Sequence, residues 1–183
     1  MPTIFKINFG TADLPLFNCS NHKLNLATRA AISIHHELTE IIKDLNKINA
    51  SIRRSVQLNN AFKDQKCKLR LENLTRWSSS YLMLFSVKRA YDKNMFESIE
   101  CPVTLEYIEQ YLQILKSLFI LSQQYQYNHS SIADVIPSLK QLINNLKTME
   151  IEDPNKKKLC GYLVTNILEH YNYELNSVTY KVI

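Results

Sequence analysis

Apolar residues recur every three or four positions between Leu24 and Ile52, a spacing that places them on one face of an α-helix. Charged residues fall between them, so the opposite face is solvated. We predict one long helix whose apolar face packs within the domain, because further helices can cover it; packing against a second chain is the alternative. The apolar stripe comprises Leu24, Ala27, Ala31, Ile34, Leu38, Ile41, Leu45, Ile48 and Ile52.

Helical periodicity continues along most of the remaining chain. It extends over residues 51–65, and a new helix is predicted where Thr75 can act as N-cap. The stretch from Leu105 to Tyr125 carries apolar residues on two faces, which predicts a central helix. Another helix contains Pro137, and a last one follows the linker at residues 152–155. Its first turn holds Lys156 to Lys158 against the helix dipole, so we expect an anion or an acidic neighbour there.

Three short stretches have an extended pattern instead. Residues Ile4 to Phe9 and Leu16 to Cys19 are β-rich, and the first is followed by Gly10 and Pro15, which favour a loop. Residues Lys66 to Leu71 alternate basic with apolar side chains, which predicts an extended segment with an outward basic face. That basic face would suit either a polyanion or a protected sheet edge.

Composition supports a mostly α protein. Among 183 residues there are only 2 glycines, so tight hairpins are few. We divide the chain into residues 1–22, which hold the short strands, and a helical bundle over residues 23–183. Polar or charged residues interrupt every apolar stretch, so we expect no membrane span.

The charge balance is mildly basic. The net charge of +5 is compatible with a polyanionic partner but does not require one. The 4 cysteines are widely spaced and no cleavable signal peptide precedes them, which favours free thiols in a reducing compartment.

Motifs for common enzyme chemistry are missing from the sequence. Two glycines cannot form a phosphate-binding Gly-rich loop, and no nucleophile elbow frames a serine. Cys19 and His22 have the spacing of half a zinc site, but no second pair of ligands follows at a recognisable distance. We therefore expect no metal site and no cofactor.

Two segments together resemble a known family. Residues Cys19 to Ala27 (CSNHKLNLA) resemble the C-x-x-H-x-L-N-L-A segment of hAT-family transposases, and residues Thr75 to Leu84 (TRWSSSYLML) resemble their T-R-W-N-S-T-Y-x-M-L segment. Their order and the helical stretch between them also fit, and the likeness extends over most of residues 16–150. Ser78 stands where the family usually has Asn, which leaves the helix start intact.

The resemblance implies a ribonuclease H-like core interrupted by a large helical insertion. In the family three acidic residues hold two divalent metals for DNA cleavage, two of them upstream of the C-x-x-H segment and the third beyond the insertion. Here Asp13 is the only acid upstream, and the chain ends where the insertion would still be running, so we expect a β remnant of the core, a helical domain and no catalysis.

The resemblance also changes the interpretation of Trp77, the only Trp of the chain. Its helical spacing to Tyr81 and Leu84 by itself favours a packing role. In the family, however, this Trp is implicated in stacking on a displaced DNA base. We therefore name Arg76 and Trp77 as candidate nucleic-acid contacts, with Lys66, Lys68 and Arg70 as an electrostatic approach.

Two functions from different classes follow. The first is a catalytically inactive derivative of a hAT-family transposase that binds DNA, expected in the nucleus or otherwise in the cytoplasm. The second is a helical protein-interaction module without DNA binding, which could dimerise through the face between Leu24 and Ile52. A reading frame without a selected role is a third possibility.

Overall fold

The computed structural model describes residues 19–73, 76–97, 99–126 and 132–176. Within these ranges the chain forms helices connected by turns and one longer extended segment, and it contains no β-strand. The mostly α fold class is therefore confirmed. The helices are α1 (Ser20–Ile34), α2 (His36–Arg54), α3 (Val56–Asp64), α4 (Ser78–Tyr91), α5 (Leu105–Gln124), α6 (Ile132–Thr148), α7 (Pro154–His170) and α8 (Asn172–Asn176).

The predicted N-terminal strands, Ile4 to Phe9 and Leu16 to Cys19, lie outside the described residues except for Cys19, which is exposed just before α1. The division between residues 1–22 and residues 23–183 stays a prediction, as does the capping role of Thr75, which is also outside the described ranges. Among the helices that the structure describes, none has both the length and the apolar character needed to cross a membrane.

The single long helix predicted from Leu24 to Ile52 is wrong, because the chain breaks at His35. His35 has an extended backbone, and its Nδ1 accepts the N–H of Leu38 at 3.1 Å, which caps α2. Its Nε2 lies 2.9 Å from the carbonyl oxygen of Asn155 at the start of α7. Since a carbonyl only accepts, Nε2 carries the proton and donates. The extended backbone of His35 thus ends α1, and its ring starts α2 and ties this junction to α7.

The apolar stripe across this break packs inside the domain, as favoured from the sequence. Leu24, Leu38 and Leu45 are fully buried, whereas Ile34, beside the break, is 56% exposed. The main neighbour of α1 is α7, and α2 also contacts α4. Self-association through this face stays a prediction, and little of its apolar surface is left for a second chain.

The central position predicted for residues 105–125 is confirmed by the packing of α5. This helix contacts α1, α4, α6 and α7 and buries side chains on more than one face. Burial of a Leu or Ile side chain stabilises a fold by roughly 1.5–3 kcal/mol, so α5 contributes strongly to the core. Its fully buried or nearly buried apolar residues are Ile108, Tyr111, Leu112, Ile114, Leu115, Leu118 and Leu121.

One of the three lysines at the start of α7, Lys156, has the acidic neighbour that we expected. Lys156 is 2% exposed, and its Nζ lies 2.6 Å from Oδ2 of Asp153, the N-cap residue. The hydrogen bond from Lys156 lowers the pKa of the Asp153 carboxyl. The Lys156 ammonium also lies 4.0 Å from the ring centroid of Tyr107, which gives a cation–π contact.

We expect His35→Ala to lower the free energy of unfolding by about 2–4 kcal/mol, because it removes the cap of α2 and leaves the Asn155 carbonyl without its partner. Urea denaturation followed by circular dichroism measures this. His36→Ala is the matched control: His36 is adjacent but exposed, and its loss should change stability by no more than about 0.5 kcal/mol. Equal effects of the two substitutions would contradict the capping role.

Candidate nucleic-acid interface

An extended segment, residues 67–73, crosses the surface between α3 and α4, and we call it the strap. A reversal at the end of α3 starts it: Lys66 adopts φ 54°, and Cys67 N–H donates to Phe62 O at 2.7 Å while Lys66 N–H donates to Lys63 O at 2.8 Å. These paired bonds satisfy the last carbonyls of α3. They also turn the chain back along the domain.

The strap lies against α2 through two asparagine side chains. Asn49 is fully buried, and its Nδ2 donates to Arg70 O at 2.9 Å. One turn earlier, Asn46 Oδ1 accepts the N–H of Glu72 at 2.9 Å, and its Nδ2 donates to the Glu72 carboxylate at 3.3 Å. An extended segment without a neighbouring strand must satisfy its backbone in this way.

On its other side the strap follows α4 in the opposite direction. Ser79 and Ser86, two turns apart, accept the N–H groups of Asn73 at 2.8 Å and of Arg70 at 3.0 Å. Further along α4, Arg89 donates a guanidinium N–H to Lys66 O at 2.8 Å. Serine hydroxyls of α4 thus replace the carbonyls and amides that a strand would supply.

The alternation predicted for Lys66 to Leu71 is confirmed as far as Arg70 and ends at Leu71, which is 37% exposed. Cys67 and Leu69 are buried, while Lys68 and Arg70 are exposed. Arg89 near the end of α4 and Lys93 in the following turn lie next to the strap. Each donates to a backbone carbonyl just before the strap begins. We call the whole set the basic stripe: Lys66, Lys68, Arg70, Arg76, Arg89 and Lys93, all of them exposed.

Cations of the basic stripe make no ion pair with any acid in the described parts of the chain. The nearest acid in the strap, Glu72, is turned inward, where its carboxylate accepts from Ser80 Oγ at 2.7 Å. Directly after α4, Asp92 is paired with Lys88. The pKa of Lys88 is raised mainly by its hydrogen bond to Asp92 and next by its hydrogen bond to Glu109. The charge of the basic stripe is therefore not neutralised by an ion pair within the described residues.

Trp77 occupies a different place from the one its candidate contact role requires. Its side chain is 2% exposed, and its ring meets Phe119 of α5 edge to face, with centroids 6.5 Å apart. Base stacking needs an accessible ring face, and in this fold Trp77 offers none. The packing role inferred from helical spacing is what the structure shows, while Arg76 beside it is exposed.

Aromatic rings continue from Trp77 to the surface. Tyr81 stacks on Phe119, with ring centroids 4.4 Å apart and an angle of 19° between the ring planes. Phe85 in turn is parallel to Tyr81 within 10°, with centroids 6.3 Å apart. Phe85 is 42% exposed. Burial raises the pKa of the Tyr81 phenol.

The two motif segments found in the sequence meet at Trp77. Asn25, in the first segment, accepts the backbone N–H of Trp77 with its Oδ1 at 3.1 Å, and Leu24 and Ala27 beside it are fully buried. Cys19 and His22 of the same segment are exposed. In the described residues no group of three or more His, Cys, Asp or Glu side chains comes together to hold a metal ion.

The start of α1 is fixed by the C-terminal helices. Lys23 forms an ion pair with the buried carboxylate of Glu174, and the hydroxyl of Tyr171 donates to Ser20 O. Neither contact brings Cys19 or His22 to the basic stripe. These two residues are therefore part of the segment that positions Asn25, and the structure gives them no role in the candidate interface.

Sequence reasoning missed several residues of this site. Asn46 and Asn49 carried a signal, since they are polar residues adjacent to the apolar stripe of α2, and Asn49 is buried. Arg89 and Lys93 gave none, because only the tertiary packing brings α4 alongside the strap. Asn25 was visible as part of a motif, but its partner was not.

We expect Trp77→Ala to lower the free energy of unfolding by about 3–5 kcal/mol, because it empties a large buried site next to Phe119. Urea denaturation followed by far-UV circular dichroism measures the change. Arg76→Ala is the control at the adjacent exposed position and should stay within about 0.5 kcal/mol of the parent. A Trp77→Ala variant as stable as the parent would show that the indole is not part of the core.

Comparison with known proteins places this architecture in a family. No curated protein matches the chain. The family model described as the ZBED1 RNase-like helical domain matches residues 17–117. The match includes α1 to α4 and most of α5, and therefore the strap, both motif segments and the rings of Trp77, Tyr81 and Phe85, whereas Phe119 lies just beyond it. It spans more than half of the 183 residues, so the chain belongs to the family of the ZBED1 RNase-like helical domain, which is transposase-derived and related to the hAT group.

Proposed function

We propose that this protein is a non-catalytic derivative of a hAT-family transposase that binds DNA through the basic stripe. The observation that carries the proposal is a set of exposed cations that have no acidic partner among the described residues. Two of them, Lys68 and Arg70, lie on a strap whose backbone is fixed by α2 and α4. Phosphate contacts by Lys and Arg supply most of the affinity for DNA without sequence preference. A fixed backbone lowers the entropy lost when such contacts form.

The chemistry of the stripe supports binding rather than cleavage. Lysine ammonium and arginine guanidinium groups hold phosphates, whereas two-metal cleavage of a DNA strand needs clustered carboxylates as metal ligands. Two acids in or near the stripe, Glu72 and Asp92, are engaged with Ser80 and Lys88. We therefore assign the surface a binding role. We propose that the protein acts in the nucleus, where a DNA-binding derivative of a transposase would find its partner.

Within this proposal Trp77 supports the surface from below. Its ring packs on Phe119, which also stacks on Tyr81, and its backbone N–H donates to Asn25. Arg76, directly before it, extends the stripe at the N-terminal end of α4. Arg76 and Trp77, named together from the sequence, thus have different roles: Arg76 contacts DNA, and Trp77 positions α4, which lies against the strap and contributes Arg89 to the basic stripe.

The alternative, a protein-interaction module that dimerises through the face from Leu24 to Ile52, has less support. Most apolar residues of that face pack against other helices of the same chain, and Ile34 is the main exception. Light scattering at micromolar concentration bears on this alternative directly: a monomer removes the dimer, and a dimer that persists in Ile34→Glu would place the contact elsewhere.

We expect labelled DNA to bind at low salt, with an affinity that falls linearly on a logarithmic scale as salt rises. Lys68→Glu combined with Arg70→Glu should weaken binding by about tenfold or more and reduce the salt slope by about 1.4–1.8, since two phosphate contacts are lost. Fluorescence anisotropy over a series of salt concentrations measures both quantities.

The matched control for this double variant is Lys157→Glu combined with Lys158→Glu. These exposed lysines lie in the first turn of α7, away from the strap, and the substitution lowers the net charge by the same amount. Acidic residues suit a helix N-terminus, so the fold is retained. The proposal fails if both double variants bind alike, or if the parent chain shows no binding at low salt.

A further inference from the structure

Phe85 is a large aromatic residue that the proposed function does not use. It is 42% exposed on α4, while the residues on either side of it, Leu84 and Ser86, are buried. Single exposed apolar side chains are common on protein surfaces, so exposure by itself assigns Phe85 no role. What distinguishes Phe85 is its set of neighbours.

Phe85 borders the basic stripe. The strap follows the face of α4 that contains Ser79 and Ser86, and Arg89 donates to the strap from the next turn. Residues four apart lie on the same face of a helix, so Phe85 and Arg89 are neighbours on the exposed side of α4. Phe85 is therefore one turn from Arg89 and next in sequence to Ser86, whose hydroxyl holds the backbone of Arg70 in the strap.

The ring is also held in place from behind. Phe85 is parallel to Tyr81 within 10°, Tyr81 is parallel to Phe119 within 19°, and Phe119 receives the edge of Trp77. A side chain supported in this way keeps its orientation, so little rotamer entropy is lost when a flat partner stacks on it. The exposed ring and the unpaired cations thus form one preorganised surface.

We propose that the basic stripe takes single-stranded nucleic acid, with one base stacked on Phe85 and the phosphates on Lys68, Arg70 and Arg89. The inference rests on the proposed function and names its substrate class. In a duplex the faces of the bases are already stacked and cannot reach a side chain, whereas an unpaired base has a free face. Cations that contact the phosphates, together with an aromatic ring on which a base stacks, are the usual construction of proteins that bind single strands.

The test compares labelled oligothymidylate with a duplex of equal length, using the whole chain. Phe85→Ala should weaken oligothymidylate binding roughly 5- to 100-fold, the range expected for the loss of one stacked base. Duplex binding and the salt slope should stay unchanged, because no phosphate contact is removed. Phe85→Trp should restore or improve the affinity, since it keeps a stacking face.

Tyr173→Ala is the matched control, because Tyr173 is 53% exposed on α8 and is not part of the stripe. Circular dichroism confirms that each variant is folded. An oligouridylate arm shows whether DNA or RNA is preferred within the same chemistry. An acidic polypeptide, polyglutamate, serves as competitor: if it displaces oligothymidylate as well as unlabelled oligothymidylate does, the surface recognises charge alone and the inference is wrong.

The outcomes separate the inference from the function beneath it. If Lys68→Glu with Arg70→Glu weakens binding while Phe85→Ala behaves like Tyr173→Ala, the stripe binds DNA but the stacking inference is overturned. The same conclusion follows if the duplex binds as tightly as oligothymidylate. If neither nucleic acid binds the parent chain, both proposals fail together.

Discussion

An extended backbone inside a helical domain has to find hydrogen-bond partners that are not strands, and this requirement shapes the candidate site. The strap, residues 67–73, satisfies it with side chains: Asn46 and Asn49 from α2, and Ser79 and Ser86 from α4. An unpaired buried amide or carbonyl costs about 1–3 kcal/mol, so several such bonds together fix the strap firmly. Because the strap is fixed, its alternating residues have a defined inside and outside, and the cations are the outside.

Hydrophobic packing supplies the second support of the same surface. The edge-to-face contact between Trp77 and Phe119 and the stacking of Tyr81 on Phe119 join α4 to α5, the helix that contacts most of the others. Such aromatic pairs add about 0.5–1.5 kcal/mol each beyond the area they bury. The α4 surface that carries Phe85 and Arg89 is therefore attached to the centre of the domain. Distinctive residues of a motif can serve a binding surface without touching its ligand.

Much of this fold could be predicted from hydrophobic periodicity, because core residues determine that pattern. The two-faced helix α5 and the outward cations of Lys68 and Arg70 were predicted correctly. The break at His35 was not, since the apolar stripe continues across it and the cap depends on Asn155 in a distant part of the sequence. Arg89 and Lys93 of the basic stripe were missed for the same reason, because tertiary packing brings them to the strap. Local patterns record burial, but they do not record which elements become neighbours.

The central claim is that nucleic acid binds to the surface of the domain while the Trp77 side chain stays buried in its core. Because Trp77 is the only Trp of the chain, its fluorescence reports on one position without any modification. The direct measurement is acrylamide quenching of Trp77 emission with and without saturating oligothymidylate. We expect weak quenching that the nucleic acid leaves unchanged, together with binding detected by anisotropy of the labelled strand. Strong quenching of the free chain, or a large change of Trp77 emission when the nucleic acid binds, would show that the indole is accessible to bases and would contradict the account.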